Sequence, residues 1–193
     1  MLLIKVHNRF EEKLENLFCA IIKLKNIDLA KSYDDNFNKF ANYFFTFMKN
    51  LIIALASDHA GFNLKKSLIN FLKNDGHFVK DFGTFSDESV DYPDFAHPLA
   101  LAVENNEYDF GITLCGSGNG ISMTANKHQG IRAALCWCVE IAKLARQHND
   151  ANVCSIPARF VSEKEAIDII TEFINNDFEK GRHLKRIKKI PII

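Results

Sequence analysis

From residue 51 onward, short apolar segments alternate with segments of helical periodicity. The first apolar run covers residues 51–56, and a helical stripe over residues 63–73 follows it and ends at Asp75-Gly76. A buried strand, an amphipathic helix and a new strand form the repeating unit of a parallel sheet with helices on both faces. The alternation therefore predicts an α/β fold.

The same pattern continues to the end of the chain. It predicts strands over residues 51–56, 77–82, 110–114, 131–136 and 152–156, and helices over residues 63–73, 93–104, about 137–147, 162–173 and 182–189. Ser162 and Glu165 have the spacing of a capping box, and Pro93 stands near the start of its helix. Because right-handed crossovers bring all strand ends to one edge, where ligands bind, we expect the chemistry in the loops that follow strands.

The first 47 residues differ in composition from the rest. They hold 7 of the 17 Phe, whereas all 9 Gly and all 4 Pro lie after residue 60. Their apolar residues recur at helical spacing, which predicts a helical N-terminal extension that docks on the main domain or on a partner. The alternative is that residues 1–47 are not part of the working protein and that translation starts at Met48. Residues 48–193 form the predicted main domain.

Charge and cysteine content restrict the class of partner. Lys plus Arg equal Asp plus Glu at 24 each, which gives no electrostatic reason to expect nucleic acid or an anionic membrane surface. The chain has no run of 18 apolar residues, so no membrane span is predicted. The odd number of cysteines and their spacing indicate free thiols and a cytoplasmic protein. Cys136 and Cys138 have apolar neighbours, which favours core packing over a metal site.

The loop after the third strand, residues 115–122, is the most informative segment. Its glycines Gly116, Gly118 and Gly120 let successive backbone N–H groups converge on an anion. The N-terminus of the next helix adds positive potential, which favours a thiolate at Cys115. A thiolate beside an oxyanion nest suits proton abstraction next to a carbonyl. The alternative is a tight turn that needs Gly, with Cys115 as a small core residue.

Three known loop types do not match this segment. A Walker loop needs Lys, a cysteine phosphatase loop needs Arg where Ile121 stands, and a dinucleotide fingerprint follows the first strand with a different spacing.

Three further segments carry candidate residues, each with a structural alternative. Asp58 and His59 follow the first strand, where Asp58 could instead cap a helix. His148 and Asn149 close a helix, where a cap and a turn are the alternatives. Arg182 and Arg186 share one helical face and could hold a phosphate, although a solvated basic helix would have the same pattern.

Together these segments resemble the ribose-5-phosphate isomerase type B family, which includes the galactose-6-phosphate isomerase subunits. The resemblance covers about residues 50–190. Its matching pieces are Ser57-Asp58-His59-Ala60-Gly61-Phe62, Asp91-Tyr92-Pro93, the loop 115–122, Ala125-Asn126-Lys127, Gly130-Ile131-Arg132-Ala133, Arg146-Gln147-His148-Asn149-Asp150 and Gly181-Arg182-His183.

The resemblance implies a Rossmann-like α/β/α sandwich with a five-stranded parallel sheet, working as a homodimer or homotetramer with sites shared between subunits. It implies isomerisation of ribose 5-phosphate and ribulose 5-phosphate through an enediolate, a reaction of the pentose phosphate pathway, with no metal and no cofactor. Members without the cysteine use Glu where this chain has Ile121, so the chain is similar to the cysteine type. The family lacks residues 1–47.

The resemblance also implies residue roles. Cys115 corresponds to the base, with Ser117 assisting, and His148 oriented with Asp58 corresponds to the pair that opens the furanose ring. The enediolate oxygen would be held by the backbone amides of Gly116, Ser117, Gly118, Asn119 and Gly120; the sugar hydroxyls by Tyr92 and Asn149; and the phosphate by His59, Arg159, Arg182 and Arg186, some of them from the neighbouring subunit.

Three other functions stay open from the sequence. A six-carbon isomerase of the galactose-6-phosphate or allose-6-phosphate type would have nearly the same motifs. A non-catalytic sugar-phosphate-binding module would keep the nest and the arginines without the reaction. A flavodoxin-like nucleotide binder would bind FMN tightly.

Overall fold

The computed structural model describes residues 50–192, and the predicted extension over residues 1–47 and Met48 lie outside them. The five strands are β1 (Ile52–Ser57), β2 (Phe78–Asp81), β3 (Phe110–Cys115), β4 (Ala133–Leu135) and β5 (Val153–Pro157). The six helices are α1 (Phe62–Asn74), α2 (Pro93–Glu104), α3 (Asn119–Ala125), α4 (Val139–Asn149), α5 (Glu163–Asn175) and α6 (Gly181–Ile187). A short 3-10 turn, His59–Gly61, joins β1 to α1.

All five strands are parallel and lie in the order β2-β1-β3-β5-β4. The chain adds β2 on one side of β1 and then returns to add β3 on the other side. The loops after β1 and β3 therefore diverge and leave a crevice at the carboxyl edge, which is the usual ligand position in such sheets.

The two faces of the sheet are covered by different helices, as the alternation of side chains along β1 shows. Ile53 and Leu55 belong to the larger core with residues of α1, α4 and α5, whereas Ala54 and Ala56 pack with residues of α2 and α3. Small residues on the second face let α2 approach the sheet closely. The result is the predicted three-layer α/β/α sandwich.

The predicted elements are found with small differences at their ends. The capping box is confirmed: the Ser162 hydroxyl accepts from the Glu165 N–H at 3.2 Å, and the Glu165 carboxylate accepts from the Ser162 N–H at 2.7 Å. Strand β4 is shorter than the predicted 131–136. It pairs only with β5, and the Arg132 N–H donates to the Asn152 side chain at 2.8 Å instead of to a neighbouring strand.

Two expectations from the sequence can be compared with the structure: the packing of Cys136 and Cys138, and the prediction of no membrane span. Cys136 is fully buried in the larger core, as predicted, while Cys138 is half-buried just before α4. Within residues 50–192, none of the helices combines the length and the apolar character needed to cross a membrane.

Candidate active site

A cavity of about 500 Å³ opens at the carboxyl edge, where β1 and β3 diverge. Its walls come from the ends of these strands, the loop before α2, and the turn after β5. Eight of the predicted site residues line it: Asp58, His59, Tyr92, Cys115, Gly116, Ser117, Gly120 and Arg159.

The glycine turn closes directly over the Cys115 side chain. The Gly118 N–H donates to the Cys115 sulfur at 3.1 Å, so one N–H of the predicted nest stabilises the sulfur rather than a bound oxygen. Gly118 has a φ of 73°, and a Cβ at this position would lie 2.3 Å from the Leu135 side chain. Only glycine therefore permits both the left-handed turn and the approach to the sheet.

The Cys115 side chain faces this cavity but is only 4% exposed. It packs with Ala96 and Ile121, both of which are fully buried. The sulfur therefore meets the cavity on one side and apolar groups on the others. A sulfur in this position is kept from bulk water and is still able to reach a bound molecule.

The other glycines of the turn give room to neighbouring side chains. A Cβ at Gly120 would lie 2.5 Å from the Tyr92 ring, and a Cβ at Gly116 would lie 3.2 Å from the Arg159 guanidinium. Tyr92 and Arg159 therefore each lie against the turn, at Gly120 and at Gly116 respectively. Ser117 is exposed, and its hydroxyl accepts weakly from the Asn119 N–H at 3.4 Å, at the start of α3.

Asp58 has the structural role that the sequence left open and also lines the cavity. Its carboxylate accepts from the Gly61 N–H at 3.0 Å and so caps the 3-10 turn. His59 accepts from the Val90 N–H at 3.3 Å through Nδ1. When this ring is neutral, its proton is therefore on Nε2, which makes His59 a hydrogen-bond donor suited to an anion.

A buried lysine supports the loop between β2 and α2. Lys65 is fully buried, forms an ion pair with Asp81, and donates to the Thr84 carbonyl at 2.7 Å. Burial lowers the pKa of Lys65, and the hydrogen bond and charge of Asp81 oppose this shift. Ser57 and Thr84 are joined by a backbone hydrogen bond of 2.8 Å, so the loop is fixed next to the end of β1.

A second group of polar residues lies at the opposite, amino edge of the sheet. His148, in the last turn of α4, stacks on His183 of α6 with ring centroids 4.3 Å apart and planes 8° apart. Glu179 Oε2 lies 3.7 Å from Nε2 of His148 and 3.9 Å from Nε2 of His183. We call these three residues the His148 cluster.

Within this cluster, burial and charged neighbours affect the protonation of His183. Burial is the main cause that lowers the pKa of His183, with further contributions from His148, Arg182 and Arg186, while Glu179 opposes them. The Arg182 Nε–H donates to His183 Nε2 at 3.4 Å, which also favours the neutral ring.

Among residues 50–192, the His148 cluster is the group whose ligand atoms come close enough to consider a metal ion, all within 4.8 Å. The two rings are stacked in separate, nearly parallel planes, so lone pairs that lie in these planes do not converge on one centre. Arg182 also occupies Nε2 of His183. The cluster therefore does not fit a metal ion.

A clamp of two arginines fixes the end of α4 beside this cluster. Asp150 accepts from Arg146 and from Arg132, each at 2.9 Å, and Arg132 also donates to the Asn149 carbonyl at 3.1 Å. Asp150 has a φ of 47°, which turns the chain out of the helix. Arg146 lies over the ring of Phe110, the first residue of β3, at 4.8 Å.

The sequence-predicted residues thus fall into two groups within one chain. Cys115 ends β3 at one edge, whereas His148 and Asn149 lie beside the start of β3 at the other. Six strand residues span roughly 16 Å, so the two groups cannot meet on one small molecule. The predicted orientation of His148 by Asp58 is therefore not formed within a single chain. Arg182 and Arg186 lie on α6 with the second group.

Sequence reasoning missed Glu179 and Lys65. The only signal for Glu179 was its position just before Gly181-Arg182-His183, and a single acidic residue there has no distinguishing pattern. Lys65 could have been noticed as a lysine on the apolar face of α1 between Leu64 and Leu68.

Comparison with known proteins gives one consistent result. The sequence profile of the Ribose/Galactose Isomerase family matches residues 53–190. The chain is similar to ribose-5-phosphate isomerase B of Escherichia coli, with 44% identity over 141 residues, which are 73% of this chain and 95% of that protein.

Solved structures agree with this similarity. A ribose 5-phosphate isomerase from Thermotoga maritima is 48% identical and superposes with a TM-score of 0.73. The match covers 74% of this chain and 99% of that one. Ribose-5-phosphate isomerase B from Mycoplasma genitalium was solved with bound ribulose-5-phosphate. It is 45% identical and superposes with a TM-score of 0.70, and the match covers 72% of this chain and 93% of that one.

Proposed function

Because the chain belongs to the ribose/galactose isomerase family, we propose that it interconverts ribose 5-phosphate and ribulose 5-phosphate, with Cys115 as the base that moves the proton. The observation that carries this proposal is the Cys115 sulfur, which faces a cavity and accepts a hydrogen bond from the glycine turn. The same turn offers further backbone N–H groups to an oxygen that becomes negative.

The proton transfer begins on the open-chain aldose. The Cys115 thiolate removes the proton from C2, the C–H electron pair forms a C1–C2 double bond, and the negative charge moves to O1. N–H groups of the turn stabilise this enediolate. With the help of Ser117, a proton moves from O2 to O1, and the Cys115 thiol returns its proton to C1. The product is ribulose 5-phosphate, and the thiolate is restored.

Ring opening precedes this step because ribose 5-phosphate is mainly a furanose. A proton leaves the C1 hydroxyl, the bond between C1 and the ring oxygen breaks, and the ring oxygen gains a proton. His148 performs this exchange in the proposed reaction. Since the two groups within one chain are separated by roughly 16 Å, His148 acts on the cavity of a second copy, where it meets the partner's Asp58.

The phosphate is bound by residues of both groups. His59 and Arg159 line the cavity that contains Cys115, and Arg182 and Arg186 come with His148 from the second copy. For the sugar hydroxyls, Tyr92 comes from the copy whose cavity holds the substrate, and Asn149 comes with His148 from the second copy. A guanidinium binds phosphate through two parallel hydrogen bonds, which explains how a chain without net charge holds an anionic substrate.

We propose that the protein works in the cytoplasm as a homodimer or a homotetramer. We also propose that residues 48–193 form the working unit. The family match begins at residue 53, and the solved relatives are covered almost completely by residues in this range. A chain that starts at Met48 is expected to have the same kcat and KM as the full chain. A large loss of activity would show that residues 1–47 take part in catalysis.

The substrate is tested by comparing kcat/KM for ribose 5-phosphate, galactose 6-phosphate and allose 6-phosphate. We expect ribose 5-phosphate to give the highest value. A higher value for a six-carbon sugar would assign the chain to that substrate instead. Binding of all three without turnover, and without entry of solvent deuterium at C1 or C2, would indicate a binding module.

A further inference from the structure

Glu179 is tied to the end of α4 at two points. Its backbone N–H donates to the Gln147 carbonyl at 3.0 Å, and its carboxylate lies 3.7 Å from Nε2 of the next residue, His148. Glu179 precedes α6, so these contacts join α6 to the last turn of α4.

His183 fixes the His148 ring from another direction. The two rings are stacked in nearly parallel planes, and the His183 side chain is 9% exposed, whereas that of His148 is 35% exposed. The His183 Nε2 accepts from the Arg182 Nε–H at 3.4 Å, which restricts rotation of the His183 ring. The His148 ring is therefore held flat on a buried neighbour, with a carboxylate at one end.

We propose that Glu179 is a positioning residue that holds the His148 imidazole in the orientation needed to open the furanose ring. This inference rests on the proposed function. A general acid or base must lie within about 3 Å of the atom whose proton it transfers, and a displacement of about 1 Å can reduce the rate on the order of 100-fold. The exposed side of His148 has no packing of its own to provide such precision, and Glu179 and His183 provide it.

The geometry distinguishes this role from general support of the fold. Glu179 is about half exposed, and its carboxylate contacts the two imidazoles rather than the core. Its carboxylate contacts His148, the residue assigned to ring opening, and the stacking partner of His148, His183. Removal of this carboxylate should therefore affect ring opening and leave proton transfer at C1 and C2 unchanged.

Ribulose 5-phosphate separates these two steps, because its phosphorylated O5 prevents it from closing to a furanose. The test measures kcat on ribose 5-phosphate and, in D2O, the rate of deuterium entry at C1 of ribulose 5-phosphate by NMR, both at saturating substrate. For Glu179→Ala we expect kcat on ribose 5-phosphate to fall on the order of tenfold or more, with the exchange rate within about twofold of the wild type.

Two matched variants make the result decisive. Asp177→Ala removes an exposed carboxylate two residues earlier in the same segment and should change neither rate. Glu179→Asp keeps the charge on a shorter side chain and should restore part of the loss. An equal loss of both rates in Glu179→Ala, or no loss of either, would overturn the positioning role.

His148→Ala distinguishes failure of this inference from failure of the proposed function. If His148→Ala loses turnover of ribose 5-phosphate and Glu179→Ala does not, only the inference about Glu179 is wrong. If His148→Ala keeps full turnover, the assignment of His148 to ring opening is wrong, and with it the role of Glu179.

Discussion

At the scale of single residues, Cys115, the proposed base, and the glycine turn that closes over it depend on one another. The Gly118 N–H contacts the Cys115 sulfur, and Gly118 adopts a conformation that other residues enter only with strain. The glycine turn thus shapes the cavity and also provides the N–H group that contacts the sulfur.

This dependence predicts that Gly118→Ala is severe. The new Cβ would meet Leu135 at 2.3 Å, in a backbone with φ of 73°. We expect a loss of about 1–3 kcal/mol in the free energy of unfolding, measured by urea denaturation, and a large decrease in kcat. Gly130→Ala, whose Cβ would meet only the flexible Glu104 side chain, is the control. Similar effects of both substitutions would contradict this account of the turn.

The position of the glycine turn at the carboxyl edge could be predicted because its signals are local. Glycine spacing, a cysteine at a strand end and the next helix indicate a candidate anion site without knowledge of distant contacts. The position of His148 was harder to predict, since it depends on the direction of α4. A helix that follows a parallel strand returns to the amino edge, so its last turn cannot face a cavity at the carboxyl edge of its own sheet.

At the scale of elements, the clamp at the end of α4 should stabilise both the fold and the His148 cluster. Asp150 joins Arg146, which is 8% exposed, to Arg132. Asp150→Asn keeps the shape and removes the charge, and it leaves a nearly buried guanidinium without its counter-charge. We expect a loss of about 1–3 kcal/mol in the free energy of unfolding, by urea denaturation. An unchanged midpoint would show that the clamp contributes nothing to stability.

The pairing of β1 with β2 should depend on pH through His77. Its Nδ1 accepts from the Leu51 N–H at 3.1 Å, and burial lowers its pKa below the ordinary value of 6.5, while Asp75 opposes the shift. As the pH falls through 6.5, the unfolded chain binds a proton that the folded chain excludes. The free energy of unfolding should therefore decrease from pH 7.5 to pH 5.5.

Two variants test this assignment by urea denaturation at the two pH values. His77→Asn keeps an acceptor for Leu51 but cannot titrate, so it should weaken the pH dependence. Asp75→Asn removes the charge that opposes the shift and should strengthen the dependence. Identical pH dependence in wild type and His77→Asn would show that other groups cause it.

The order of strands and helices could be predicted almost completely, because each element has its own periodicity and end signals, such as the Ser162 capping box. The partners of β4 and its length could not, since hydrogen bonds between Arg132 and Asn152 replace strand pairing there. Contacts of this kind join residues distant in sequence and leave no local pattern.

At the scale of the whole molecule, the proposed reaction needs two chains for one site. A mixture of Cys115→Ala and His148→Ala chains, unfolded together and refolded, should form mixed dimers in which one site has both an intact Cys115 and an intact His148. We expect about a quarter of wild-type activity at equal amounts, although each variant alone is nearly inactive. Failure to recover activity, despite mixed dimers detected by mass spectrometry, would mean that sites are not shared.

The central claim is that the Cys115 thiolate carries the proton between C1 and C2. Deuterium entry at C1 of ribulose 5-phosphate in D2O tests it most directly, because this exchange needs neither ring opening nor release of the aldose. For Cys115→Ala, with an unfolding curve that shows an intact fold, we predict a decrease in exchange on the order of 10²–10⁴-fold. Exchange at the wild-type rate in that variant would contradict the account.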